Sequence, residues 1–203
     1  MTNDAKDSWL KFLDPESLKR NLIRGSLYLT CYEMLKESVV EQPRAFICMG
    51  LTDDTKDDVC AEYKADVLTL AKDPVIASAL WFRERGAISD DDVSMLRKLR
   101  DHRNQIAHEL LRFLATVEAE VKMEFFDEIY YLVQKIDKWW IQEIEIPANS
   151  ECDNRHFTEE ELDGVKSTRM FFMPLLIQLA NGKEDNIRAL YEEMRKARER
   201  MWE

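Results

Sequence analysis

The chain has 203 residues, of which 45% are hydrophobic, so it can bury one core, or at most one core with an appended helical subdomain. Its 29 Lys and Arg are outnumbered by 40 Asp and Glu, and the formal net charge of -11 excludes a protein that coats nucleic acid nonspecifically. Only five Gly and five Pro are present, which favours a few long helices over a many-stranded sandwich.

The cysteines and the amino-terminal segment bear on the compartment. No Cys-x-x-Cys pair occurs, so the spacing indicates neither a zinc site nor a disulfide framework, and reduced thiols are expected. The four cysteines are Cys31, Cys48, Cys60 and Cys152. Residues 1–7 are polar, and no apolar run reaches the roughly 18 residues that a membrane span requires. These features predict a cytoplasmic protein that is neither secreted nor inserted in a membrane.

The first long helix is predicted from its start signal. Asp14 has the character of an N-cap, and Pro15 fits the first helical position, where its missing N–H costs nothing. Apolar residues then recur at helical spacing to about Val40. Gly25 on this stripe either allows another helix to approach closely or is simply tolerated. Residues 42–58 contain Pro43, Gly50 and the polar run 52–55, which predicts a loop or an irregular insertion.

Four more helices are predicted in the middle of the chain. They span about 59–71, 74–86, 90–117 and 120–145. The start of the third of these is marked by Ser89 and Asp92, which have the spacing of a capping box with Asp in place of the usual Glu or Gln. The 90–117 helix carries the residues that matter most for function.

The carboxyl-terminal part is separated by a polar linker, 147–157. Thr158 and Glu161 form a second capping-box pattern, which opens a helix with an apolar run at 170–177. Pro174 is expected to kink this helix, and Asn181-Gly182 to end it. A final amphipathic helix is predicted over 186–202. The domain division is therefore a helical bundle over 1–146, a linker over 147–157, and a helical extension over 158–203 packed on the same core.

An arginine interrupts the apolar stripe of the 90–117 helix. The stripe alternates steps of three and four residues through Leu96, Leu99, Arg103, Ile106, Leu110, Phe113 and Val117. A guanidinium cannot lose its charge by losing a proton, so Arg103 on an apolar stripe needs a partner or a function. His108 lies about 140° further around the helix, so the two side chains would not converge on one straight helix.

His108 belongs to a second face of the same helix. This face mixes polar and small apolar residues, namely Arg100, Asn104, His108, Leu111 and Ala115. We expect one face of this helix to pack against the core and the other to pack against a partner chain. If two copies meet about a two-fold axis, a shared cleft would gather two histidines, two arginines and two asparagines.

The segment from Leu96 to His108 resembles the catalytic motif of the HEPN superfamily, the helical RNA-cleaving domains of prokaryotic toxin and defence systems. That motif has an arginine and a histidine separated by four to six residues, with a polar residue, commonly Asn, directly after the arginine. Arg103, Asn104 and His108 match it at the shortest spacing. The resemblance covers about a dozen residues as motif and roughly 15–146 as architecture. A tyrosine that some of these toxins carry two residues past the histidine is replaced here by Leu110, so regulation by its adenylylation is not implied.

The resemblance implies a dimeric, up-and-down bundle of four or five long helices that cleaves RNA without a metal or other cofactor. It implies catalytic roles for Arg103 and His108, with Asn104 in support. A histidine can move the protons of the reaction, and an arginine can stabilise the charge on the phosphorane. RNA would be bound by the local basic residues Arg97, Lys98, Arg100 and Arg112. The expected partners are a second copy, an RNA substrate and an antitoxin or defence-system protein.

Two other interpretations of the chain remain open. The chain can be a catalytically silent HEPN-like module that dimerises and binds a partner, which would explain its acidity. It can also be a structural helical adaptor in which the motif is coincidental. Residue by residue, Arg103 can be a structural arginine bound to a nearby carboxylate, and His108 can satisfy a packed interface. His102 is expected to be a solvated or supporting residue.

Overall fold

The computed structural model describes residues 3–48, 59–149 and 157–201. Within these ranges the chain forms helices and no strands, which confirms the predicted all-α helical bundle. The helices are α1 (Asn3–Leu13), α2 (Pro15–Lys36), α3 (Gln42–Ile47), α4 (Ala61–Tyr63), α5 (Pro74–Glu84), α6 (Asp90–His108), α7 (Leu110–Ala115), α8 (Glu124–Trp140), α9 (Ile146–Ala148), α10 (Glu159–Gly164), α11 (Thr168–Ala180) and α12 (Asp185–Met201). Three π-helical turns extend α2, α4 and α8, at Glu37–Glu41, Lys64–Leu68 and Ile141–Glu145.

Local capping interactions start the main helices where the sequence predicts. The carboxylate of Asp14 accepts a backbone N–H of the first turn of α2, and Pro15 occupies the first helical position. Asp73 caps α5 in the same way. Ser89 and Asp92 form a complete capping box at α6, in which each side chain accepts the other's backbone N–H. Each of these caps satisfies N–H groups that would otherwise lack an intrahelical partner.

Two predicted boundaries in the first part of the chain are wrong. The helix Gln42–Ile47 lies where a loop was expected, because Pro43 sits in its first turn, where a missing N–H is tolerated. Residues 49–58 of that expected loop lie outside the described ranges. The predicted 90–117 helix is broken at Glu109, whose backbone angles (φ -122°, ψ 31°) leave the helical region and separate α6 from α7.

One predicted helix boundary in the carboxyl-terminal part is also wrong. The capping box of Thr158 opens only the short helix α10, and Ser167 caps a separate helix, α11, so the single helix predicted there is wrong. The helix α11 continues through Pro174 and ends at Ala180, just before Asn181-Gly182 as predicted. Gly182 has a positive φ of 73°, a conformation that glycine adopts without steric cost. The final amphipathic helix is confirmed as α12.

The cysteines contradict the expectation of reduced thiols. Cys48 and Cys60 form a disulfide, with their Cα atoms 5.7 Å apart. It joins the end of α3 to the start of α4, and sequence spacing alone gave no sign that these two ends meet. Cys31 is a buried free thiol, and burial raises its pKa to about 12. Cys152 lies outside the described ranges.

The core forms where α2 packs against α6, α8 and α11, and α5 packs against α6. Its largest fully buried side chains include Tyr28, Leu35, Phe82, Leu96, Leu99, Ile106, Phe126, Ile129, Leu132 and Ile136. The hydroxyl of Tyr28 donates to the backbone carbonyl of Leu99 at 3.0 Å, so a buried polar atom is satisfied and α2 is tied to α6. Met170 and Met173 of α11 belong to the same buried cluster. This packing presents the carboxyl-terminal half of α6 at the surface beside α2.

Candidate functional site

The motif residues lie in the last two turns of α6. Leu99 and Ile106 hold one side of the helix in the core, where both are fully buried. Asn104 and His108 are four residues apart, so they share one face of the helix, and both are exposed. His108 is the last residue of α6, directly before the break at Glu109. The imidazole is therefore open to solvent or to another molecule and is not sealed inside the subunit.

Arg103 lies at the boundary between the core and the surface. One of its terminal nitrogens, Nη2, donates to the Glu33 carboxylate of α2 at 2.8 Å, and its side chain is 33% exposed. The other, Nη1, makes a long 3.4 Å hydrogen bond to the amide oxygen of Asn104. The Nε atom is buried, with no hydrogen-bond partner among the described residues. The partner that a charge on this stripe requires is thus Glu33, which agrees with the structural alternative for Arg103.

Arg103 and His108 point in different directions within one chain. Arg103 is turned towards α2 through Glu33, whereas His108 lies about 140° further around α6. Asn104 is the link between them, because it accepts from Arg103 and shares a face with His108. One subunit therefore presents half of a converging site. A site containing both side chains within reach of one phosphate requires either a rearrangement or a second copy.

Nearby carboxylates reduce the positive charge of the basic cluster. Arg100 binds Asp73 and Asp101, each at 2.9 Å. Arg112 binds Glu109 at 2.7 Å. Among the residues that the structure describes, Arg97 and Lys98 are exposed and form no ion pair. These two are the cations of the predicted RNA-binding set that remain available to a phosphate without displacing a carboxylate.

His102 is buried, which overturns the expectation of a solvated residue. It is 5% exposed, and its Nε2 accepts the backbone N–H of Lys122 at 3.2 Å. The rings of Tyr28, Phe113 and Phe125 surround it at 4.9–5.7 Å between centroids. Burial, with a contribution from the nearby Lys122 charge, lowers the pKa of His102 to about 4. The imidazole is therefore neutral at physiological pH and acts as a core residue.

The spacing of apolar residues in the sequence was compatible with the burial of His102. Leu99, His102 and Ile106 are spaced by three and then four residues, whereas Leu99, Arg103 and Ile106 are spaced by four and then three. Both series fit a helical stripe. In the structure, the buried series is the one that contains His102, and Arg103 therefore lies at the edge of the core.

A cleft of about 320 Å³ lies elsewhere, between α8 and the start of α11. Asp137 is fully buried on its wall and accepts from Ser167 and Arg169. Lys166 and Gln42 also line it. Because the buried carboxylate is already satisfied by its neighbours, this cluster joins α8 to α11 and contains none of the motif residues.

None of the helices within the described ranges combines the length and the apolar character needed to span a bilayer. Comparison of the chain with models of protein families, with curated proteins and with solved structures finds no match. The resemblance to HEPN domains therefore rests on the motif residues themselves.

Proposed function

We propose that the protein is a metal-independent endoribonuclease of HEPN type that works as a homodimer in the cytoplasm, as a toxin or phage-defence effector. One observation supports this most. Asn104 and His108 share an exposed face at the end of α6, and Asn104 also accepts a hydrogen bond from Arg103. An imidazole, which can act as a general acid or base, thus shares an exposed face with an amide that binds a guanidinium, and these groups suit phosphodiester cleavage.

The proposed reaction uses the 2'-hydroxyl of the RNA as nucleophile. His108 takes the hydroxyl proton while the 2'-oxygen bonds to phosphorus, and the bond from phosphorus to the 5'-oxygen breaks. The partner subunit's His108, in its protonated form, donates a proton to that 5'-oxygen. The products are a cyclic phosphate and a 5'-hydroxyl. Arg103 stabilises the negative charge that builds on the phosphorane, and Asn104 orients the phosphate or the imidazole.

A second copy would complete the site. Arg103 and His108 diverge within one chain, so a two-fold contact through this face of α6 would bring side chains of both copies around one phosphate. Leu111, at the start of α7 directly after the break at Glu109, is 67% exposed, which provides apolar area for such a contact. Arg97 and Lys98 would hold the RNA backbone next to the site. An antitoxin or another defence-system protein is the expected regulatory partner.

The proposed role of Arg103, stabilising the charge on the phosphorane, is compatible with its ion pair to Glu33. A guanidinium has five N–H donors, and Glu33 accepts from only one of its terminal nitrogens. Within the described ranges, the Nη1 atom is held only by the long bond to Asn104, so it can turn to a phosphate oxygen. Glu33 would then fix the orientation of the guanidinium.

The test is cleavage of RNA by the purified full chain in the presence of EDTA. We expect products with cyclic phosphate ends, and we expect His108→Ala to abolish cleavage with an unchanged helical circular dichroism spectrum. The matched control is Ser94→Ala, an exposed residue earlier on α6, which should retain full activity. Cleavage that persists in the His108→Ala variant would remove the catalytic assignment.

A catalytically silent HEPN-like module is the second candidate. It is favoured by the carboxylates that already bind Arg100, Arg103 and Arg112, and by the net charge of -11, which opposes RNA binding. Expression of the wild type and of Arg103→Ala in a host cell separates the two proposals. Toxicity of the wild type alone supports the ribonuclease, whereas equal growth of both strains supports the silent module.

A further inference from the structure

The last helix carries an apolar repeat that the described residues leave mostly uncovered. In α12, apolar residues recur with the alternating three- and four-residue spacing of a heptad. Ile187 and Met194 occupy the a positions, and Leu190 and Ala197 occupy the d positions. The first of these heptads, Ile187 and Leu190, has the β-branched residue at a and Leu at d that favour two parallel strands, and the second has Met194 and Ala197.

This stripe is mostly uncovered. Asn186 holds the first turn of α12 to α11 by a hydrogen bond to Gln178 at 3.1 Å. Ile187 and Leu190 are only half-buried, and beyond them Tyr191 and Met194 are 64% and 66% exposed. Every residue from 191 to 199 is exposed. The helix therefore leaves the body of the protein with its apolar stripe facing outwards.

The charges beside the stripe complement those of a second copy in parallel orientation. Glu193 is at a g position, and Arg198 is at the e position of the next heptad. In a parallel two-stranded coiled coil these positions face each other across the interface, so the two helices form two Glu193–Arg198 pairs. The b and f positions on the outer side are charged, and there Arg195 binds Glu192 at 2.8 Å. The pattern distinguishes an inner side from a solvated outer side.

We propose that α12 pairs with α12 of a second copy as a short parallel coiled coil. The helix has 17 residues and so extends for about 25 Å, with Met194 and Ala197 packing against the same residues of the other chain. This inference does not rest on the ribonuclease proposal, because the surface is separate from the α6 motif and the test changes residues of α12 only.

The experiment measures the mass of the full chain by light scattering over a range of concentrations. We expect a dimer for the wild type and a dimer Kd raised at least roughly tenfold for Met194→Glu, which places a charge at an a position and leaves the α6 face unchanged. Glu193→Arg and Arg198→Glu, each alone, should raise the dimer Kd by about tenfold or more, because both interhelical pairs become repulsive. The control is Glu199→Arg, a charge reversal at an outward f position that should leave the Kd unchanged.

Mixing the two single variants identifies the pairing. Each chain then supplies the charge that the other lacks, so Glu193→Arg and Arg198→Glu together should recover the wild-type Kd. The double variant should also recover it. A Met194→Glu chain with the wild-type Kd, or single reversals no weaker than the Glu199→Arg control, would overturn the α12 pairing alone. A wild-type chain that stays monomeric would overturn both this pairing and the α6 dimer of the ribonuclease proposal. Circular dichroism confirms that each variant remains helical.

Discussion

Replacing His102 with glutamine should change how the stability of the protein depends on pH. The native pKa of His102 is lowered to about 4, against an ordinary value of 6.5. As the pH falls below about 6.5, the unfolded chain binds a proton at this histidine and the folded chain does not. Linkage therefore removes stability as the pH falls from about 6.5 to about 4, and the loss approaches about 3 kcal/mol at the lower end.

The assay is urea unfolding of the wild type and His102→Gln, followed by circular dichroism, at several pH values between about 7.5 and 4. Glutamine can still accept the backbone N–H of Lys122, but it lacks the ring that packs against Tyr28 and Phe125. The variant should therefore be less stable than the wild type near neutral pH, and this deficit should shrink by about 3 kcal/mol towards pH 4.

The acidic residues titrate in both proteins, so the difference between the two curves isolates His102. Ser94→Ala provides the control, since it changes an exposed residue of the same helix that does not titrate. Its unfolding curve should follow that of the wild type across the range. A stability difference between the wild type and His102→Gln that stays constant from neutral to acidic pH would refute the proposed effect of burial.

Three further predictions concern stability. Reduction of the Cys48–Cys60 disulfide, or replacement of both cysteines by serine, should lower the free energy of unfolding by about 3 kcal/mol, because the bond closes a short loop. An unfolding midpoint that does not change with reductant would show that the bond is absent in solution. Gly25→Ala should raise the free energy of unfolding by about 0.5–1 kcal/mol, because an added Cβ would meet Leu110 at an ordinary 3.4 Å and alanine favours the helix. A lower melting temperature of this variant would contradict the prediction. Asp137→Asn should lower the free energy of unfolding by about 3 kcal/mol, because Arg169 then loses its fully buried partner. A loss below about 1 kcal/mol in urea unfolding would contradict this prediction.

The helical class and most helix starts follow from local interactions, which is why the sequence predicts them. At Asp14, Ser89 and Thr158 the capping side chain and the N–H groups that it binds are at most three residues apart. The motif residues Asn104 and His108 also share a face by helical spacing alone, and the structure leaves both exposed. Their chemical role stays a prediction.

Contacts between distant segments decided the remaining features. Residues 102 and 103 both fit the apolar stripe of α6, and local spacing cannot choose between them. In the folded chain, aromatic rings from α2, α7 and α8 enclose His102, while Glu33 of α2 provides the charge that Arg103 needs. The disulfide likewise depends on the ends of α3 and α4 meeting. The sequence by itself determined the all-helical class and the start of most main helices, because these depend on local interactions. Tertiary packing determined which side of α6 is buried, because only the neighbouring helices distinguish the two registers.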